Sequence, residues 1–190
     1  MNQHLSGPVL VFGGPYSNLE ALQAIRKEAN RLQLGATNCI CTGDVVAYCA
    51  DAKETVNEIR DWGIQVVMGN CEEALAEDAD DCGCGFESGT SCDLLSKQWF
   101  SYARAELNAE ARKWMANLPR TIEFKLNNVL IQVLHGGVDQ INRFIFASQP
   151  DDILEEMNKT NVDIIIAGHC GLPFAKSIDH RLWLNAGVIG

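Results

Sequence analysis

Cys39-Ile40-Cys41-Thr42-Gly43-Asp44 is a short apolar run that stops at a glycine and a carboxylate. Three other apolar runs stop in the same way. Val66-Val67-Met68 leads into Gly69-Asn70, Val129 to Leu134 into His135-Gly136-Gly137, and Ile164-Ile165-Ile166-Ala167 into Gly168-His169. Buried strands that each deliver one polar residue at the carboxyl end describe a site at the strand tips of an α/β sheet. Asp44, Asn70, His135 and His169 form a mixed oxygen and nitrogen donor set suited to a divalent transition ion.

The surrounding chain supports strands and helices in alternation. Val9 to Phe12 reads as a strand broken by Gly13-Gly14-Pro15. Asn18 caps a helix over 19–33, whose Leu22, Ile25, Ala29 and Leu32 share one face, and Gly35 follows as the stop. A strand over 39–42, a helix over 52–62 closed by Gly63, and a strand over 64–68 complete a β-α-β-α-β unit with parallel strands. The spacing further predicts a short helix over 72–79, helices over 94–107, 109–117, 139–147 and 151–159, and a strand over 162–167. Two hairpins are expected, one over Asn127-Asn128 and one over Asp179-His180.

A single domain over residues 1–190 is expected, with an acidic, cysteine-containing insertion at about 71–93. Lys and Arg number 15 against 25 Asp and Glu, a formal charge of -10. Duplex nucleic acid requires a basic stripe to displace counterions, so it is not an expected partner. A small anionic substrate remains compatible, because a bound cation reverses the local field. No apolar run nears the roughly 20 residues that cross a bilayer, and Met1 to Gly7 lacks the layout of a secretory signal. The expectation is a cytoplasmic protein without a membrane partner. Its eight cysteines are then expected as thiols or metal ligands rather than disulfides. The apolar pair Val188-Ile189 stands one residue from the end, which leads to the expectation that further strands are missing from this sequence.

The four strand-tip motifs, together with Asn18-Leu19-Glu20-Ala21-Leu22, Gly43-Asp44-Val45-Val46-Ala47-Tyr48 and Leu184-Asn185-Ala186-Gly187, resemble the calcineurin-like metallophosphoesterase superfamily, and more narrowly its small bacterial phosphodiesterase branch. The resemblance implies a four-layer α-β-β-α sandwich and hydrolysis of phosphomonoesters or phosphodiesters by a metal-activated water. It also implies two metal ions. One takes Asp44, Asn70, His135 and His169, and all four are present. The other shares Asp44 and takes an Asp-x-His pair and a final His, where this chain has Gly14, Tyr16 and Gly171. The His that assists the reaction beside the Asn is replaced by Cys71.

The losses fall on one half-site and spare the other. One ion per chain is therefore expected, Mn, Fe or Zn, with Cys71 or Tyr16 assisting. Cys82, Cys84, Cys92 and Cys170 are candidate thiolate ligands that would favour zinc or iron and rebuild a second site. Two other readings stand beside this one. The chain could be a weak or inactive descendant that binds a phosphorylated ligand or a partner, or a metal or redox module built on its cysteines. The acidic residues from Glu72 to Asp81 read as a solvated face, and the four tryptophans as core.

Overall fold

The computed structural model describes residues 3–190. In chain order its elements are β1 Gln3–Leu5, β2 Leu10–Phe12, α1 Leu19–Arg31, β3 Cys39–Cys41, α2 Ala52–Trp62, β4 Gln65–Val66 and α3 Asn70–Ala76. There follow α4 Ser91–Glu106, α5 Ala109–Ala116, β5 Thr121–Leu126, β6 Val129–Leu134, α6 Pro150–Asn158, β7 Ile164–Ala167, β8 Phe174–Ile178 and β9 Arg181–Asn185. The caps account for several boundaries. Asn18 accepts the Ala21 N–H at 3.0 Å to start α1, and Gly63 takes a left-handed φ of 72° to end α2. Asn127 and Asn128 both have positive φ, the pairing a two-residue hairpin turn requires.

The strands form two sheets. β2, β3 and β4 pair in parallel, and a six-stranded mixed sheet runs β1-β5-β6-β7-β9-β8. Ile40, Val67, Phe124, Ile131, Val133 and Ile166 fill the space between them. On the far side of the small sheet, Leu22, Val56, Ile59, Phe100 and Met115 bring in the helices. On the far side of the large sheet, Ile153 and Met157 of α6 pack with Leu134, Ile165 and Trp183. The order helices, sheet, sheet, helix is the expected α-β-β-α sandwich.

Three expectations need correction. The stretch from Asp139 to Ala147 is not helical. It folds back over Gly136, where a Cβ would stand 2.3 Å from the Ile141 carbonyl oxygen. Its Arg143 is held by Glu155 and the buried Glu156. Second, Gln3–Leu5 is a strand, paired in parallel with β5, although nothing in its composition marks it as one. Third, the disulfide-free expectation fails at one place, because Cys82 and Cys84 are bonded to each other across Gly83. Gly83 has a φ of 63°, which allows so short a loop to close. The carboxyl-terminal apolar pair has a packing role: Val188 bridges to Gly14, and the Ile189 N–H donates to the Gly14 carbonyl.

Candidate metal centre

Asp44 stands three residues beyond the end of β3, and its placement depends on glycine. Gly43 has a φ of 97°, and a Cβ there would come within 2.7 Å of the Gly69 nitrogen. Asp44 itself is left-handed, with a φ of 54°, as is His169 at 60°. Tyr16, Ser17 and Tyr48 in the adjoining loops also have positive φ. Non-glycine residues seldom adopt this conformation, and here they gather at the strand tips, where strain commonly marks function.

The four expected ligands come together. His135 Nε2 is 3.3 Å from Asp44 Oδ2, 3.1 Å from Asn70 Oδ1 and 3.2 Å from His169 Nδ1. All four residues are buried. Each is oriented by a second contact. His135 Nδ1 lies 2.7 Å from the Thr42 carbonyl, so it carries a proton and donates. Asn70 Nδ2 donates to the Cys82 carbonyl at 2.7 Å, which turns its oxygen inward. Asp44 Oδ1 accepts the Cys71 N–H at 3.3 Å. The His169 loop is tied by Asn185, whose amide donates to the Gly168 carbonyl at 2.6 Å.

These contacts test whether a cation fits. With Nδ1 protonated, a neutral His135 presents a lone pair at Nε2. That lone pair faces a carboxylate oxygen and an amide oxygen, both acceptors, and an imidazole nitrogen. Two side-chain oxygens and two imidazole nitrogens converging in one buried place make a donor set that suits a divalent ion. Burial pushes His169 down to about 4, with the neighbouring His135 adding, so its imidazole is neutral as a ligand must be. For His135, burial favours the neutral ring, but the Asp44 carboxylate overrides it and moves the titration upward.

Glu72 is a residue that sequence reasoning misassigned. It is fully buried, not part of a solvated face. Its Oε2 accepts the N–H groups of Asp44 at 2.8 Å and Gly69 at 3.0 Å, and its Oε1 accepts that of Val46 at 3.2 Å. One carboxylate thus fastens the Gly-Asp loop to the Gly-Asn loop. Burial, reinforced by Asp44, pushes its carboxyl up to about 7. Gly69 is forced by the same closeness, since a Cβ there would stand 2.4 Å from Asp44 Oδ1. Asn142 and Phe144 were also missed; the Phe144 ring lies 4.2 Å from that of His169.

The other candidates divide. Cys71 is buried beside Asp44, and burial, with the charges of Asp44 and Glu72, moves its thiol well above the usual range. It is a neutral thiol here. Tyr16 is mostly buried. Burial raises its hydroxyl, with Asp44 adding, so it stays protonated. Its ring packs beside Gly14, where a Cβ would come within 2.7 Å of Tyr16 Cε1. Cys82 and Cys84 are disulfide-bonded, so neither is a thiolate in this structure. They nonetheless edge the site, since Cys84 Sγ lies 3.5 Å from Asn70 Nδ2. Cys92 is exposed on α4, and Cys170 is half-buried with its thiol directed to the Leu172 carbonyl. Among the described residues, no helix is long and apolar enough to cross a membrane.

Comparison with known proteins agrees with the geometry. An uncharacterized protein of Methanocaldococcus jannaschii is 26% identical over 183 residues, covering 95% of this chain and 69% of that protein. A crystal structure of a hypothetical protein from Pyrococcus horikoshii superposes with a TM-score of 0.78 at 17% identity, covering 98% of this chain and 78% of that one. The crystal structure of a metallophosphoesterase from Sphaerobacter thermophilus gives 0.71 at 18% identity, covering 96% and 76%. These structures share the fold. The calcineurin-like phosphoesterase superfamily domain matches residues 17–190, from the loop before α1 to the end of the sequence. The chain belongs to that superfamily.

Proposed function

We propose that this protein is a metal-dependent phosphoester hydrolase working with one divalent ion, Mn, Fe or Zn, held by Asp44, Asn70, His135 and His169. The observation that carries the reading is the convergence of two side-chain oxygens and one imidazole nitrogen within 3.3 Å of His135 Nε2. When bound, such an ion supplies a Lewis acid for a phosphoryl oxygen and lowers the pKa of a water. Asp44, Asn70, His135 and His169 would hold the ion, and the ion, not these acceptors, would offset the negative charge of a small phosphomonoester or phosphodiester. The Tyr16 hydroxyl, kept protonated, is a donor for a non-bridging oxygen, and the Cys71 thiol is a second one. Cys170, half-buried in the same loop as His169, and exposed Cys92 contribute no ligand in this reading. The formal charge of -10 argues against a duplex nucleic acid or an anionic membrane as partner. Six cysteines are free, which favours a cytoplasmic setting.

A second reading has its own support. The Tyr16 ring packs beside Gly14, one of the positions where the family resemblance would put a ligand of the other ion, and that suits a protein that binds a phosphorylated ligand without turning it over. Hydrolysis of bis-p-nitrophenyl phosphate separates the two. Turnover that depends on added manganese and is lost in Asp44→Asn supports the hydrolase. Saturable phosphate binding without turnover, across manganese, iron and zinc, refutes it and leaves the binding protein.

A further inference from the structure

An uncharged aromatic groove opens beside the metal centre. Its volume is about 570 Å³, within the range of small-molecule sites, and it is lined by Tyr48, Leu95, Gln98, Trp99 and Tyr102. No charged side chain lines it, although the protein is strongly acidic. The wall of the groove packs against the loops of the candidate site through ring contacts. The Tyr16 ring lies 5.1 Å from Tyr48, edge to face, and Tyr48 lies 5.3 Å from Trp99. Tyr16 in turn donates its backbone N–H to the Asp44 carbonyl at 3.2 Å.

The wall is prepared in advance. Tyr48 is 49% exposed and held at a φ of 38°. Ser17 ties the segment behind it in place: its N–H donates to the Val45 carbonyl at 2.8 Å, and its hydroxyl accepts the Ala47 N–H at 3.2 Å. Beyond Tyr48, the Cys49 N–H donates to the Tyr16 carbonyl at 3.1 Å. Across the groove, the Tyr102 hydroxyl donates to the Ala50 carbonyl at 3.3 Å. An exposed aromatic ring fixed in a strained backbone presents a stacking surface, and Gln98 adds a side-chain amide to the lining.

We infer that this groove is the subsite for a planar aromatic group on the substrate, so that the ester acted on is one whose organic part carries a heteroaromatic ring, of which a nucleobase is the common case. The anionic end then lies at Asp44, and the ring lies over Tyr48. The inference rests on the phosphoesterase reading for its orientation, but the groove can be tested apart from any metal.

The test uses the whole chain in the presence of a chelator, with adenosine as the probe and ribose as the ring-free control. Binding is read by saturation-transfer NMR. Saturable adenosine binding is expected, with no response to ribose. Tyr48→Leu should weaken it about 10-fold or more, and Tyr48→Phe, which keeps the ring, should bind as the parent does. Circular dichroism on both variants distinguishes lost binding from lost folding. No saturable binding of adenosine, or equal binding by Tyr48→Leu, overturns the subsite. So does light scattering that shows a dimer whose dissociation in Leu95→Glu exposes the groove. A second arm compares adenosine 5′-monophosphate with ribose 5-phosphate in manganese. Equal kcat/KM for the two overturns the subsite while leaving the hydrolase reading standing. Adenosine binding with no turnover of either ester does the reverse.

Discussion

Glu72→Ala is the substitution that reports most about how the site is built. Glu72 accepts three buried N–H groups, from Asp44, Val46 and Gly69. An orphaned buried donor costs about 1–3 kcal/mol. The carboxylate is itself unfavourably placed, because a rise from 4.5 to about 7 corresponds to about 3 kcal/mol against the ionised form. Alanine removes that penalty while abandoning three donors and opening a void. The expected net loss is about 2–4 kcal/mol, read as a lower urea midpoint with unchanged slope. Glu72→Gln is the informative partner. Its carbonyl still accepts from Asp44 and Gly69, its amide is mismatched only against Val46, and the repulsion from Asp44 is gone. Its stability should stay within about 1 kcal/mol of the parent, a small balance of one lost hydrogen bond against relieved burial. The exposed neighbour Glu77→Ala serves as the control. If Glu72→Ala is no more costly than Glu77→Ala, or Gln no better than Ala, the carboxylate clamp is wrong.

Three other predictions follow from the same contacts. Gly69→Ala places a Cβ 2.4 Å from Asp44 Oδ1, so ion binding by calorimetry should fall at least about 10-fold, the effect of about 1.4 kcal/mol of strain at a ligand. Reducing the Cys82–Cys84 disulfide, or substituting Cys82→Ser, frees the loop whose carbonyl orients Asn70. Amide exchange over 69–76 should rise and manganese affinity should drop a few-fold, whereas tighter zinc binding on reduction would mean the thiols are ligands after all. Phe124→Ala empties a fully enclosed position between the two sheets and should cost about 3–5 kcal/mol; a loss below about 1 kcal/mol would contradict the sandwich packing.

The convergence of Asp44, Asn70, His135 and His169 was legible in the sequence because strand chemistry is local. A run such as Ile164 to Ala167 cannot sit anywhere but the core, so the polar residue that ends it must stand at a sheet tip. Glu72 was not legible for the opposite reason. It is one of several acids in a row, and only the approach of the Gly43–Val46 loop, distant in sequence, makes its surroundings buried. The stretch from Asp139 to Ala147 has helical spacing but is shaped by Gly136 and by Arg143's pairing with Glu155 and Glu156 across the chain. Tertiary contacts there outweigh local preference. The bond between Cys82 and Cys84 likewise depends on a loop conformation that spacing does not specify. Tyr16 is expected from the sequence to assist the reaction. The structure shows that its ring takes the place beside Gly14, and its buried hydroxyl is still available to donate.

The central claim is that half of a two-ion site survives as a working mononuclear centre. Elemental analysis of protein purified without a chelating tag, reported as ions per chain, tests it most directly. The account predicts close to one ion, lost in His169→Ala. Two ions per chain, or none after soaking in manganese and zinc, would contradict it.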